Sequence, residues 1–175
     1  MDKKLKKQLT DIFVRYLILI LIALPNLYIF YLIFKPLTLY PVYFLLNIFF
    51  ECSLSGHTIS VGCFPIEIIN ACVSGAAYYL LLILNLSTPN IKLNKRIKMI
   101  LLAFASFLIL NIIRIIYLSL LFISSSPWFD FVHKTFWYLL SIAFVVGIWF
   151  SEVKAFNIKE IPFYSDILFI KKMIV

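Results

Sequence analysis

Apolar residues run almost unbroken through four stretches of the chain, Ile12–Phe34, Ile66–Leu86, Met99–Ile123 and roughly Phe131–Phe150, with polar residues gathered between them. An α-helix needs about 20 apolar residues to cross the hydrocarbon of a bilayer, and each stretch meets or approaches that length. The pattern predicts an all-α polytopic membrane protein with about four transmembrane helices. A fifth run, Val42–Phe50, is bounded by Pro41 and Glu51 and is too short to span. Its Tyr40, Tyr43, Phe44, Phe49 and Phe50 suit the headgroup level, which predicts an interfacial or re-entrant segment.

Between Cys52 and Phe64 the period changes. Ile59, Val61 and Cys63 alternate with Ser60 and Gly62, the period of a strand, and Ser55-Gly56 reads as a turn, predicting a short outer β-hairpin. Pro65 is placed to open the second span, where its missing N–H costs nothing. Ser126-Pro127 does the same for the fourth, and Asp130 falls in that helix's first turn, where a negative charge meets the dipole favourably. Beyond Glu152 apolar and charged residues alternate without enough apolar length to cross. The tail 152–175 is therefore expected to be a surface-lying cytoplasmic helix. No repeat or flexible linker interrupts the chain, so residues 1–175 read as one membrane domain.

Composition sharpens this picture. With 63% hydrophobic residues, 18 Phe and a mean hydropathy of +1.03, the 175 residues exclude an ordinary soluble domain. Lys and Arg outnumber Asp and Glu by 16 to 8, an imbalance that in a soluble chain would point to nucleic acid. Here the cations flank the apolar runs instead. Lys3, Lys4, Lys6 and Lys7 precede the first, Lys92, Lys95, Arg96 and Lys98 precede the third, and Lys154, Lys159, Lys171 and Lys172 follow the last. The positive-inside rule puts all three blocks in the cytoplasm, with the loops 35–65 and 124–130 outside. The net charge of +8 is an orientation signal with attraction to anionic lipid as a by-product. The basic start and first run do not read as a cleaved signal, because the run is too long and no small-x-small site ends it.

Two polar residues, Asn111 and Arg114, interrupt the third run. An arginine inside a span is costly enough to need a reason. Counting about 1.5 Å per residue, Cys72 lies roughly 10 Å below the outer surface from Pro65, and Arg114 roughly 14 Å below it from Ile123. His133, just past Asp130, is shallower. All three fall in the outer half of the membrane, where long side chains can converge. A guanidinium near a thiol favours the thiolate, and an imidazole can take and give the proton that acyl transfer requires. Cys72 is thus a candidate nucleophile, with Arg114 and His133 as its cationic stabiliser and base. Glu67, Asn70 and Asn111 are candidates for orienting them. Taken singly, Cys72 reads as a small hydrophobe, His133 as an interfacial residue and Arg114 as a snorkelling cation; the joint placement makes the reading. Cys52 and Cys63 on the outer hairpin are placed for a disulfide. A zinc site from Cys52, His57 and Cys63 matches no recurrent ligand spacing, and no metal or cofactor is implied.

The stretch from His57-Thr-Ile-Ser-Val through Ile66-Glu-Ile-Ile-Asn-Ala-Cys72-Val-Ser-Gly75, with Asn111-Ile-Ile-Arg114 and then His133 heading the last span, resembles the exosortase and archaeosortase family over about residues 50–150. The resemblance implies a catalytic core over 50–150 of a multi-pass cysteine transpeptidase of the cytoplasmic membrane, acting at the outer face. It implies as partners surface proteins bearing a carboxyl-terminal motif, a membrane span and a basic cluster. The trimmed protein would pass to another acceptor, such as a lipid. Cys72 matches the family's nucleophile, Arg114 the arginine of its Asn-x-x-Arg stretch and His133 its third member. The family's order of Cys, small hydroxyl residue and Gly is interrupted here by Val73. Small size and the Ile, Lys, Asn and Phe usage incline toward the archaeal branch. Two other classes remain open: a small ligand-binding subunit of a membrane transporter, in which Cys72 is dispensable, and an assembly protein whose Arg114 pairs with a partner helix.

Overall fold

A computed structural model describes residues 3–174, with side chains described for residues 6–171. The side chains of Lys3, Lys4 and Lys172 therefore lie outside the described residues. The chain is mostly helical: α1 (Lys3–Ala23), α2 (Tyr28–Phe49), α3 (Asn70–Val73), α4 (Gly75–Leu86), α5 (Leu93–Ile123), α6 (Phe129–Thr135), α7 (Ser141–Ala155) and α8 (Tyr164–Ile174). A π-helical turn, Phe136–Leu140, fuses α6 to α7, and strands β1 (Cys52–Ser55), β2 (Thr58–Val61) and β3 (Phe64–Glu67) stand between α2 and α3. Three helical stretches are long and apolar enough to cross a membrane: Tyr28–Phe49, Leu93–Ile123 and Phe129–Ala155. The apolar helix Asn70–Leu86 is shorter.

The run 12–34, expected as one span, is divided. Pro25 and the left-handed Asn26 and Leu27 (φ 49° and 60°) end α1 and restart the chain as α2. The run 42–50, expected as a separate interfacial or re-entrant segment, is the last part of α2, which passes through Pro36 and Pro41 without breaking. Each proline removes one donor, which a helix packed on neighbours tolerates. Val42 and Leu46 are both buried there.

The expected hairpin is a three-stranded antiparallel sheet in the order β1-β2-β3. Both connections are two-residue loops, closing Ser55 on Thr58 and Val61 on Phe64, and each begins with a glycine at positive φ (Gly56 60°, Gly62 56°). Pro65 does not open a helix. It lies in β3 opposite Ser60, on an edge strand where its missing N–H is tolerated. Ile59 and Val61 point inward with 0% and 4% exposure and join Leu39, Val42 and Leu46 of α2, Ile68, and Ile115 of α5 in one core cluster. A second cluster is aromatic: Phe34 stacks on Tyr78 at 3.7 Å, with Phe104 and Phe107 edge-on to Tyr78.

Polar side chains gather at the end opposite the sheet. Arg96 donates to the main-chain oxygens of Asn85 (2.6 Å), Leu86 (3.1 Å) and Thr88 (2.9 Å), capping the orphan carbonyls at the end of α4. Arg15 donates to Leu86 O (2.7 Å) and pairs with Asp166 at 2.9 Å, so the tail helix α8 docks on α1 with Asp166 only 2% exposed. The N–H of Phe163 donates to Ser87 O at 3.1 Å. The amino terminus, the α4–α5 loop and the tail, which carry the three basic blocks, thus share one end. Glu152, at the start of the expected tail, is instead buried in α7 and accepts from Asn85 Nδ2 at 3.1 Å.

Candidate active site

Cys72 sits on α3, a single helical turn that Ser74, left-handed at φ 58°, separates from α4. Gly75 restarts the helix against Tyr31, where a Cβ would stand 2.7 Å from the ring. A turn this short cannot satisfy its own carbonyls, and α5 supplies the donors. Asn111 Nδ2 donates to Cys72 O (2.9 Å) and Val73 O (3.4 Å), and Arg114 Nη2 donates to Cys72 O (3.2 Å). Three residues apart, Asn111 and Arg114 share one face of α5. Together they hold the Cys72 turn from below.

Arg114 also donates through Nη1 to Ser141 Oγ at 3.2 Å. Ser141 in turn donates both its hydroxyl (2.8 Å) and its N–H to Phe136 O, the five-residue step of the π-helical turn. Such a turn inserts one residue and redirects the helix before it. Arg114 is 6% exposed, and its Nε has no partner. Among the described residues the ion pairs are Arg15–Asp11 and Arg15–Asp166, so Arg114 faces the site without a carboxylate.

The Cys72 turn, α5 and the α6–π segment enclose a pocket of about 350 Å³ lined by Cys72, Arg114 and His133, with Glu67, Ser119, Ile115, Leu118, Phe122, Phe136 and Trp137 among its walls. Cys72 is half-buried, its Sγ directed at Glu67 O at 3.9 Å. His133 is exposed and its ring lies between two aromatic neighbours, stacked on Phe129 at 5.5 Å and edge-on to Trp137 at 6.5 Å. The lining is otherwise largely apolar, which suits an extended apolar segment more than a polar metabolite.

Cys72, Arg114 and His133, expected to converge, do line one cavity, although the depth count from Pro65 started at a strand residue and not at a helix start. Glu67 belongs to the pocket wall, and Asn111 donates to the main-chain carbonyl of Cys72. Asn70 does not join them: it lines a separate cavity with Lys35 and His57. Sequence reasoning missed Ser141, whose signal is faint, a lone serine in the apolar run Phe136–Phe150. Cys52, on β1, and Cys63, in the β2–β3 loop, are free thiols, and burial pushes the Cys52 thiol up from its ordinary pKa. Among the described residues no three His, Cys, Asp or Glu side chains stand close enough together to hold a metal ion. No family model, curated protein or solved structure matches the chain.

Proposed function

We propose that the chain is a membrane-embedded cysteine transpeptidase that cuts carboxyl-terminal sorting signals from surface proteins through a thioester on Cys72, as its resemblance to the exosortase and archaeosortase family implies. The observation that carries this reading is the single pocket on which a cysteine, an uncompensated arginine and a histidine from three separate elements open. In this reading the sheet end faces outward and the basic end the cytoplasm. The kinked path α1–α2, the helix α3–α4, α5, and α6–α7 then make four crossings.

The chemistry follows from the groups present. His133 takes the proton of the Cys72 thiol, and the thiolate attacks a peptide carbonyl of the substrate lying in the apolar groove. The guanidinium of Arg114 favours the thiolate and the negative charge that develops on the attacked oxygen. The C–N bond breaks, the leaving amine takes the proton from His133, and the retained part of the substrate stays on Cys72 as a thioester. An acceptor then loses its proton to His133, attacks the thioester and releases the thiol. Asn111 and Ser141 touch neither reacting atom. They hold the Cys72 turn and Arg114 in place.

The experiment is to incubate the purified full chain with membranes of its host and measure its intact mass before and after hydroxylamine, which cleaves thioesters. A mass added to wild type, mapped to Cys72 and removed by hydroxylamine, is expected, and Cys72→Ala is expected to stay unmodified. A wild-type chain that never acquires a Cys72 adduct contradicts the thioester and favours a ligand-binding subunit.

A further inference from the structure

Lys35 is the only charged residue of α2, a helix apolar and long enough to cross a membrane. A cation at such a position is expensive unless an anion or water meets it. The three buried arginines show how this fold handles that cost: Arg15, Arg96 and Arg114 each donate to two or more acceptors. Lys35 is half-buried, and among the described residues no hydrogen bond or ion pair engages it. It faces a cavity of about 460 Å³, which it lines with Tyr28, Tyr31, Tyr40, His57 and Asn70. This cavity reaches the α3 turn at Asn70, as the Cys72 pocket does at Ala71 and Cys72, and is also lined by Gly56 and His57 of the β1–β2 loop and by the exposed Tyr28, Leu32 and Tyr40.

The height of the cavity bears on what fills it. Tyr31 packs on Gly75 and Asn70 belongs to the Cys72 turn, which Arg114 holds. Arg114 stands 18 residues past Arg96 on α5, roughly 27 Å along the axis, against a hydrocarbon thickness of about 30 Å. At 31 residues, α5 is longer than that thickness. Anchoring it with Arg96 at one boundary, in place of Ile123 at the other, puts Arg114 near the outer boundary and not roughly 14 Å beneath it. Lys35, beside the same turn, is then at the level of headgroup phosphates. Tyrosine rings are likewise favoured at that level.

We infer that this cavity is an anion site for a phosphate group, held by the Lys35 ammonium with donors from His57, Asn70 and the tyrosine hydroxyls, and that its source is the headgroup of an anionic phospholipid entering from the side. The inference goes beyond the proposed peptide chemistry and does not depend on it, since neither Lys35 nor His57 lines the Cys72 pocket.

Native mass spectrometry of the full chain in detergent tests it, with phosphatidylglycerol as the lipid, phosphatidylcholine as the zwitterionic control and glycerol 3-phosphate as the soluble phosphate. One phosphatidylglycerol is expected to remain bound in preference to phosphatidylcholine. Lys35→Gln should weaken it about tenfold, the scale of one charge-assisted hydrogen bond, while Lys35→Arg and a basic-end control, Lys95→Gln, should retain it. Thermal unfolding of Lys35→Gln, expected near wild type, separates loss of the site from loss of the fold. Displacement of the lipid by equimolar glycerol 3-phosphate would overturn the lipid source in favour of a soluble phosphate ligand. Equal retention by wild type and Lys35→Gln, or no preference over phosphatidylcholine, would overturn the site itself.

Discussion

Asn111 and Arg114 point four N–H groups of α5 at three acceptors that the chain cannot satisfy locally: Cys72 O, Val73 O and Ser141 Oγ. Such buried acceptors are costly to strand. Asn111→Leu leaves Val73 O without its donor and Cys72 O with one fewer, and is expected to destabilise the chain by about 1–3 kcal/mol, read as a lower midpoint of thermal unfolding in detergent. Arg114→Lys keeps the charge but gives up the planar fork, because a point ammonium cannot reach Ser141 Oγ and Cys72 O in the same geometry. Substrate processing is expected to fall about tenfold or more, on the scale of one lost charged contact. Full activity in that variant would reduce the role of Arg114 to charge alone. At this scale the sequence was readable where polarity broke an apolar run, as at Asn111 and Arg114. Ser141 was not readable, because a serine in an apolar helix commonly donates to its own backbone, and nothing in Phe136–Leu140 marks a five-residue turn.

The π-helical turn is the element on which the site's geometry turns. It supplies Phe136 O to Ser141 and sets the rotation of α6, which carries His133, relative to α7. Deleting Tyr138 should convert the wide turn to ordinary α-helical spacing and remove the five-residue step through which Ser141 donates to Phe136 O. Loss of processing with unchanged helical circular dichroism is expected; undiminished activity would remove His133 and Ser141 from a common design. Other elements were legible in kind and misjudged in extent. The strand period of Ile59 and Val61 points to a sheet, but the same pattern makes Pro65 look like a helix start, whereas an edge strand accommodates it as well. Pro41 looks like a boundary in the sequence, whereas packing carries α2 through it, and the break falls at Pro25-Asn26, within a run whose hydrophobicity hides it.

At the scale of the whole molecule two arginines close the basic end. Arg96 caps α4, and Arg15 ties α1 to both α4 and the tail helix α8. Arg15→Leu would leave Asp166, 2% exposed, as a buried charge without its partner, and is expected to cost about 3–5 kcal/mol. The double variant Arg15→Leu, Asp166→Leu should recover most of that stability in the same denaturation experiment, since the penalty lies in the orphaned charge and not in the missing pair. The clamp also holds the segments that carry the basic blocks together at one end of the molecule. The Cys72 pocket, lined in part by β3 at the sheet end, is the basis for proposing chemistry at the outer surface. The most direct measurement compares carboxyl termini of surface proteins by mass spectrometry in host cells carrying the wild-type chain or Cys72→Ala. The account predicts a set of proteins that keep their carboxyl-terminal span and basic cluster only in the Cys72→Ala cells. Identical termini in both would contradict it.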